Sequence, residues 1–461
     1  MINKNTNIKI YFIGIGGIGM SGIAELMHEI GYTVLGSDQI ESENIKRLKK
    51  IGINIKIGHN KKNLKNVNAV VYSSAINQKN PEIQEAKKKQ IPIVSRADML
   101  AELMKNKKCI AIAGSHGKTT TTSLVGNILE SGKLDPTIVN GGIINSLSKN
   151  NKFGKGKWMV VEADESDGSF LKLPHEISII TNLDIEHLDY YKTLKNLYSA
   201  FDKFILNLPF YGISIVNEDD RYLKKIILKN DTRKIITFSI KNKKSNVFID
   251  KIFLKNQFSY FTLNFNIPLN NLSGSYSYKI KATGLHNVYN GTAGIIAGHL
   301  AGVKNTFIKE SLKNYIGVKR RFTNLGKVNL ANIYDDYAHH PTEIKATLSG
   351  AKQINKNITV VFQPHRYSRT RFLFNDFVNI LSRIKKLYLL DTYSAGEKII
   401  KGYESKNIYL KLKKINKKVV YVGNKNLNKL IYNETKKNKI IIFMGAGSIS
   451  KIAHNFIKIN E

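Results

Sequence analysis

The chain has 461 residues, 42% hydrophobic and 23% charged, a globular composition too long for a single core, so two or three domains are expected. Its 72 Lys and Arg against 35 Asp and Glu leave a formal charge of +37, which raises nucleic-acid binding as a function. The lysines, however, are scattered with Asn and Ile along the whole length (Lys224-Lys225, Lys241 to Lys244, Lys436-Lys437) and no nucleic-acid module accompanies them, so no specific nucleic-acid partner is expected. The single cysteine, Cys109, excludes an internal disulfide and fits a reducing compartment. Lying in the apolar run Cys109-Ile110-Ala111-Ile112, it reads as a buried thiol and not a nucleophile.

The chain opens with a strand, Ile8 to Ile13, followed by glycines at 14, 16, 17, 19 and 22. These glycines and Glu25 interrupt the apolar stretch, so a strand, a phosphate turn and a helix are expected there in place of a signal peptide. No later segment is apolar for long enough to cross a bilayer, so a cytoplasmic protein without membrane insertion, a monomer or homodimer, is expected. Strands follow near Thr33–Gly36 and Ala69–Tyr72, then a helix over Arg96–Met104. A lysine-rich joint, Lys105 to Lys108, leads to a second section with strands at Cys109–Ala113, Trp158–Val161 and Ile177–Thr181. There a helix is expected from about Thr119. The alternating, aromatic-rich stretch Val247 to Phe265 predicts antiparallel hairpin strands, and the section ends near Gly317 to Phe322. A third section alternates helices with strands at Ile333–Asp335, Ile358–Phe362, Leu387–Leu390, Val419–Val422 and Ile440–Met444. That alternation predicts a parallel sheet covered on both faces. The expected domains are 1–106, 107–322 and 323–461.

Two glycine-rich loops carry the chemistry. Gly14-Ile15-Gly16-Gly17-Ile18-Gly19 follows a strand, opens a helix, and has Asp38 about twenty residues on. Glycines let the backbone approach a diphosphate, and the helix start supplies N–H groups and positive potential. Such a loop suits NAD or a UDP-sugar equally. The second loop, Gly114-Ser115-His116-Gly117-Lys118-Thr119-Thr120, is a shortened phosphate loop in which Ile112 stands at the place of the usual first glycine. Backbone amides would cradle ATP phosphates, Lys118 would neutralise β/γ charge, and the Thr119 hydroxyl could reach Mg²⁺. A dehydrogenase needs only the first loop and a simple ATPase only the second. An enzyme that spends ATP on a nucleotide-carried substrate needs both.

Three polar clusters accompany the loops. Glu162-Ala163-Asp164-Glu165-Ser166-Asp167 places four carboxylates after a strand, in a chain where acids are scarce, and hard oxygen donors suit Mg²⁺. Asp184-Ile185-Glu186-His187 closes another strand. Arg320 and Arg321 stand at the second boundary, where an arginine could reach a transferring phosphoryl group or could simply be surface charge.

Together these segments resemble the Mur ligases. The resemblance runs through Gly14 to Glu25, Ser73-Ser74-Ala75-Ile76, Gly114 to Thr122, Glu162 to Leu171, Gly284-Leu285-His286-Asn287 with Asn290, Asp335 to Glu343, and Phe362 to Thr370. It implies an α/β protein of three domains: Rossmann-like at the N-terminus, a central P-loop ATPase-like domain with antiparallel strands, and Rossmann-like at the C-terminus. It implies UDP-N-acetylmuramate, ATP and L-alanine as substrates, with Mg²⁺. On the UDP-sugar it implies Gly14, Gly16, Gly17, Gly19, Asp38, Ser73 and Ser74. On ATP it implies Gly114 to Thr120 with His286, Asn287, Asn290 and Asp336. It makes Thr119, Glu162 and His187 metal ligands, and Lys118, His187, Arg321, His339 and His340 catalytic. His365 and Arg366 would meet the amino acid. The base that deprotonates it is open among His339, His340 and His365. The chain departs from the family pattern at Asp184-Ile185-Glu186, at Ala338 and at Ser450, where glycine is usual for the last two.

Overall fold

The computed structural model describes residues 8–460 except 74, 148, 256, 270, 271, 416, 417 and 424. Three sheets organise an α/β chain of three domains, as expected. The first sheet has the order β3-β2-β1-β4-β5, built from β1 (Lys9–Ile13), β2 (Thr33–Asp38), β3 (Asn54–Ile57), β4 (Ala69–Tyr72) and β5 (Ile93–Ser95). All its pairings are parallel. The order reverses between β1 and β4, and ligands of open parallel sheets bind at that crevice, beyond the strand carboxyl ends. The glycine loop leaves β1 there and opens the helix Ile18–Ile30, which Gly31 ends in a left-handed conformation (φ +109°).

The second sheet runs β15-β14-β13-β12-β11-β10-β6-β9-β7-β8. Its strands are β6 (Lys108–Ala113), β7 (Thr137–Ile144), β8 (Lys149–Lys152), β9 (Trp158–Glu162), β10 (Ile177–Ile180), β11 (Ile213–Asn217), β12 (Lys234–Ser239), β13 (Val247–Lys255), β14 (Phe258–Leu269) and β15 (Leu272–Ile280). The interior strand β6 is buried from Cys109 to Ala113, as a strand covered on both faces must be. Two expectations are corrected here. The hairpin region has a third strand, β15, and enters the sheet through a parallel pairing of β13 with β12. Lys108 belongs to β6 and not to the joint before it.

The third sheet, β16-β17-β21-β18-β19-β20, comprises β16 (Thr323–Val328), β17 (Ala331–Asp336), β18 (Ile358–Phe362), β19 (Lys386–Leu389), β20 (Val419–Tyr421) and β21 (Lys439–Met444). Five strands are parallel, but β16 pairs antiparallel to β17. The wholly parallel sheet expected is thus mixed, because β16 and β17 are joined by a tight turn at Asn329 and Leu330 that permits only an antiparallel return. The central β21 is buried at all six positions.

By compactness the chain forms two units: Met1–Asp250 with Thr262–Tyr278 and Tyr289–Tyr315, and Lys251–Phe261 with Lys279–Val288 and Ile316–Glu461. No helix among the described residues is long and apolar enough to cross a membrane.

Candidate active site

In the first unit, β1 delivers Gly14 at φ +78°, a conformation glycine adopts without strain. The Gly14 and Ile15 N–H groups donate to the Ser37 carbonyl at 2.8 and 3.0 Å. Asp38 Oδ2 accepts the Gly16 N–H at 2.8 Å, and Asp38 Oδ1 accepts that of Gln39 at 2.7 Å. Asp38 therefore braces the loop from below. Ser73 lies against Gly14, its Cβ 3.7 Å from where a side chain there would begin. Ser74 lies outside the described residues. Gly17 caps the helix through backbone alone, and Gly19 lies against the Arg96 side chain.

The second loop is held far more tightly. Gly114 (φ +131°) and Gly117 (φ +84°) could carry no side chain: a Cβ would come within 2.2 Å of Thr181 Oγ1 and 2.7 Å of Asn290 Oδ1, respectively. The end of β10 latches the loop. Thr181 Oγ1 and Asn182 Nδ2 donate to the His116 carbonyl at 2.7 and 2.9 Å, and Asn182 Oδ1 accepts the His116 N–H at 2.9 Å. His116 Nε2 meets Asp184 Oδ2 at 3.1 Å, and Ser115 Oγ accepts the Asp184 N–H at 2.8 Å. Thr120 continues into the helix Lys118–Ser131.

Lys118 Nζ donates to the Gly114 carbonyl at 2.6 Å and to Glu165 Oε1 at 2.9 Å. Burial works against its charge, but Glu165 and Asp164 outweigh that and hold the ammonium above its usual range. Burial also lifts the Glu165 carboxyl to about 7, against the pull of Lys118. Thr119 Oγ1 donates to Glu162 Oε1 at 3.1 Å, while Glu162 Oε2 accepts the Gly141 N–H at 2.7 Å. His187, left-handed at φ +57°, points Nε2 between Glu165 (3.7 Å) and Glu186 (3.9 Å). Glu165, Glu186 and His187 each offer a ligand atom within 4.8 Å of the others. Lys118 and His187 thus meet at Glu165, while Thr119 meets Glu162. Glu165, one of the four carboxylates that suit Mg²⁺ by sequence, lies at this point, and so does Glu186, to which the sequence assigns no role. The signal available was the crowding of acids after two strand ends in a chain so poor in them.

The second unit gathers a basic cluster at the carboxyl ends of β17, β18 and β21. Arg320 and Arg321 both lie over the Tyr337 ring, at 4.7 and 5.2 Å. Arg320 Nη2 donates to the Gly445 carbonyl at 2.6 Å, whereas Arg321 makes a longer ion pair with Glu343, at 3.4 Å. Arg320 is tied to backbone carbonyls at Gly445 and Gly447, and Arg321 to the Glu343 carboxylate. Asp336, buried, accepts the Phe322 and Ala338 N–H groups at 2.8 and 2.7 Å. Burial pushes its carboxyl up to about 6. His340 caps the helix Pro341–Ile354: its Nδ1 accepts the Thr342 N–H at 3.3 Å, completing a capping box with Glu343. His339 Nδ1 faces the Tyr337 carbonyl at 2.9 Å, and its ring meets that of His365 edge-on at 5.9 Å. His365 stacks on Tyr393, and burial, helped by His339 and three arginines, lowers it to about 3. Arg369 Nη1 donates to His365 Nδ1 at 3.3 Å. Arg366 is exposed, with strained backbone at φ +70°. His286 and Asn287 follow the left-handed Gly284, and Asn287 Nδ2 donates to the Thr283 carbonyl at 2.8 Å.

The departures from the family pattern have local explanations. Ser450 Oγ donates to the buried Asp335 at 2.6 Å, a bond glycine could not make. Ala338 is buried without a left-handed backbone, so it needs no glycine. Asp184 meets the loop's own His116.

Family models match in order along most of the chain: Mur ligase family, catalytic domain, at residues 9–108; Mur ligase middle domain at 112–298; and Mur ligase, glutamate ligase domain, at 320–447. The chain belongs to the Mur ligase family. A UDP-N-acetylmuramate–L-alanine ligase of Rickettsia massiliae (strain Mtu5) is 47% identical over 412 residues, covering 88% of this chain and 84% of the relative. The solved UDP-N-acetylmuramate-alanine ligase of Thermotoga maritima is 29% identical, with a TM-score of 0.82 over 98% of this chain and 99% of that one. A murein peptide ligase of Psychrobacter arcticus shares the fold at 23% identity, TM-score 0.71, over 98% of both chains.

Proposed function

We propose that this chain joins L-alanine to the lactyl carboxylate of UDP-N-acetylmuramate at the expense of ATP, a step in peptidoglycan precursor synthesis. The carrying observation is the 47% identity, over 88% of the chain, to a relative named for that reaction. Residues 1–106 would hold the UDP-sugar, 107–322 ATP, and 323–461 the amino acid.

The lactyl carboxylate attacks the γ-phosphorus of ATP, ADP leaves, and an acyl phosphate forms. The alanine amine then attacks the acyl carbon and phosphate departs. Both partners of the first step are anions, so neutralising charge is the main catalytic task. Lys118 carries a full positive charge into the loop, and its ion pair with Glu165 is exchanged for phosphate oxygens when ATP enters. Thr119, Glu162, Glu165, Glu186 and His187 form a donor set dominated by hard oxygens, which fits Mg²⁺. When bound, the ion would shield the phosphate charge. Arg321, paired with a carboxylate that phosphate oxygens can replace, is the second cation for the phosphoryl group.

Among the three histidines, His339 suits the base. Its Nδ1 faces a carbonyl that can only accept, so Nδ1 keeps the proton and Nε2 carries the lone pair. His340 uses a ring nitrogen as a helix cap, and His365, lowered to about 3, is too weak a base near neutrality. Arg366 has no side-chain partner among the described residues, and its guanidinium matches the fork of an amino-acid carboxylate.

The test is phosphate release with UDP-N-acetylmuramate, ATP and Mg²⁺ across a panel of amino acids. L-Alanine should give the largest rate above the blank. A larger rate with another amino acid or a peptide would assign a different Mur-family reaction, and cofactor reduction without phosphate release would assign a dehydrogenase.

A further inference from the structure

Between the two loops of the first unit lies a contact that neither loop explains. The helix Ile18–Ile30, which grows directly from the diphosphate loop, rests on three consecutive residues of β8. Lys149 Nζ pairs with the buried Glu25 at 2.9 Å. Asn150 Nδ2 donates to the carbonyl of Ile18, the first helical residue, at 3.0 Å. Asn151 fills the notch left by Gly22: a Cβ on Gly22 would sit 1.6 Å from Asn151 Nδ2. Asn151 is 3% exposed, and neither its amide nitrogen nor its oxygen has a hydrogen-bond partner among the described residues. With neither polar atom bonded, what joins Asn151 to the helix is its packing into the Gly22 notch.

The other edge of this strap reaches the ATP side. β8 pairs antiparallel with β7, Val139 opposite Asn151 and Ile144 opposite Lys149, and the pairing is irregular between Val139 and Ile144. Gly141 lies within that irregular stretch. Its N–H holds Glu162 Oε2, and a Cβ there would lie 2.6 Å from Glu162 Oε1, the oxygen that accepts the Thr119 hydroxyl. One short strand pair thus touches the helix of the first loop on one side and the carboxylate beside the second loop on the other.

We propose that the β7–β8 strap sets the spacing between the UDP-sugar loop and the ATP loop, with Asn151 as its positioning residue against Gly22. The inference rests on the ligase reading: a carboxylate held by one loop must meet a γ-phosphate held by the other in line, and a misplacement of about 1 Å can cost 10²-fold in rate. Gly22→Ala would push the helix away from the strap while leaving every residue of both loops unchanged.

The test separates binding from turnover. Dissociation constants for UDP-N-acetylmuramate alone and for a non-hydrolysable ATP analogue alone are measured by calorimetry, and kcat by alanine-dependent phosphate release. Gly22→Ala should keep both constants within about twofold while kcat falls about 10- to 100-fold. Adding Asn151→Ala, which makes room for the new methyl group, should return kcat to within about threefold of the wild type. A kcat unaffected by Gly22→Ala, a deficit that Asn151→Ala fails to repair, or a loss confined to UDP-sugar affinity overturns the proposal. If Gly22→Ala does not fold, Asn150→Ala, which adds no volume, decides by the same comparison; wild-type kcat in that variant overturns the strap. A wild-type chain with no alanine-dependent turnover overturns the ligase reading and the strap together, whereas an active wild type with unresponsive variants overturns the strap alone.

Discussion

The two glycine loops start from the same plan, a parallel strand feeding a helix through left-handed glycines, and diverge in what braces them. The Gly14–Gly19 loop leans on Asp38 and the Ser37 carbonyl and carries no lysine of its own. The Gly114–Thr120 loop is latched by Thr181, Asn182 and Asp184 and brings Lys118 into a nest of carboxylates. The difference follows from the task. A diphosphate that stays intact needs only a cradle, while a phosphoryl group in flight needs charge delivered and held.

Deleting that charge should give the largest effect. Lys118→Ala is expected to lower kcat about 10³-fold, with UDP-N-acetylmuramate affinity retained, as read by phosphate release and calorimetry. Equal loss in both readouts would mean the second loop is only a scaffold. Glu162→Gln comes next: turnover falls about 10²-fold and the Mg²⁺ concentration for half-maximal rate rises, since the Thr119–Glu162 pair loses its charge. An unchanged Mg²⁺ titration would remove Glu162 from the metal site.

In the first loop the corresponding insult is milder. Gly16→Ala sets a methyl group 3.0 Å from Asp38 Oδ2 and from Ile45. It should raise the KM for the UDP-sugar about tenfold, equivalent to about 1.4 kcal/mol, leaving the KM for ATP alone. A shift in the ATP constant would show that the loops are not independent in the ground state.

Asp336 braces backbone as Asp38 does, but from full burial, and pH should tell them apart. Its folded carboxyl, at about 6, lies above the ordinary 3.8, so folding takes up a proton between those values. Its contribution to stability is complete below about pH 4 and is lost as pH rises through 6. Asp336→Asn should flatten that part of the Tm-against-pH curve. A slope that survives the substitution would assign it elsewhere. The smallest effect is at Cys109, buried with its thiol pushed up to about 12. An alkylating reagent should leave native turnover unchanged and label the thiol only on unfolding.

Much of this was legible in the sequence because it is written in local chemistry. Strands such as Ala69–Tyr72 and Ile358–Phe362, and the helix Arg96–Met104, fall where their apolar runs predict them, and Ser95 caps that helix. β16 escaped because Thr323–Val328 alternates weakly and owes its place to β17. β7 escaped because glycines at 141 and 142 break its pattern, and Gly141 is where the backbone approaches Glu162. Arg320 and Arg321 look alike in sequence, and only the fold shows that Arg320 meets the Gly445 and Gly447 carbonyls while Arg321 meets Glu343.

Sequence alone determined the loops, the family and the order of the domains, since each depends on residue type at short spacing: glycines that must turn, a lysine that must follow them, acids at strand ends. Tertiary structure alone decided which acids face Lys118, which histidine ring faces the Tyr337 carbonyl and which caps a helix, and how β8 comes to lie against the first helix. Those outcomes depend on residues brought together from as far as 132 positions apart, as with Ile18 and Asn150. Local spacing carries no information about such pairs, and packing does.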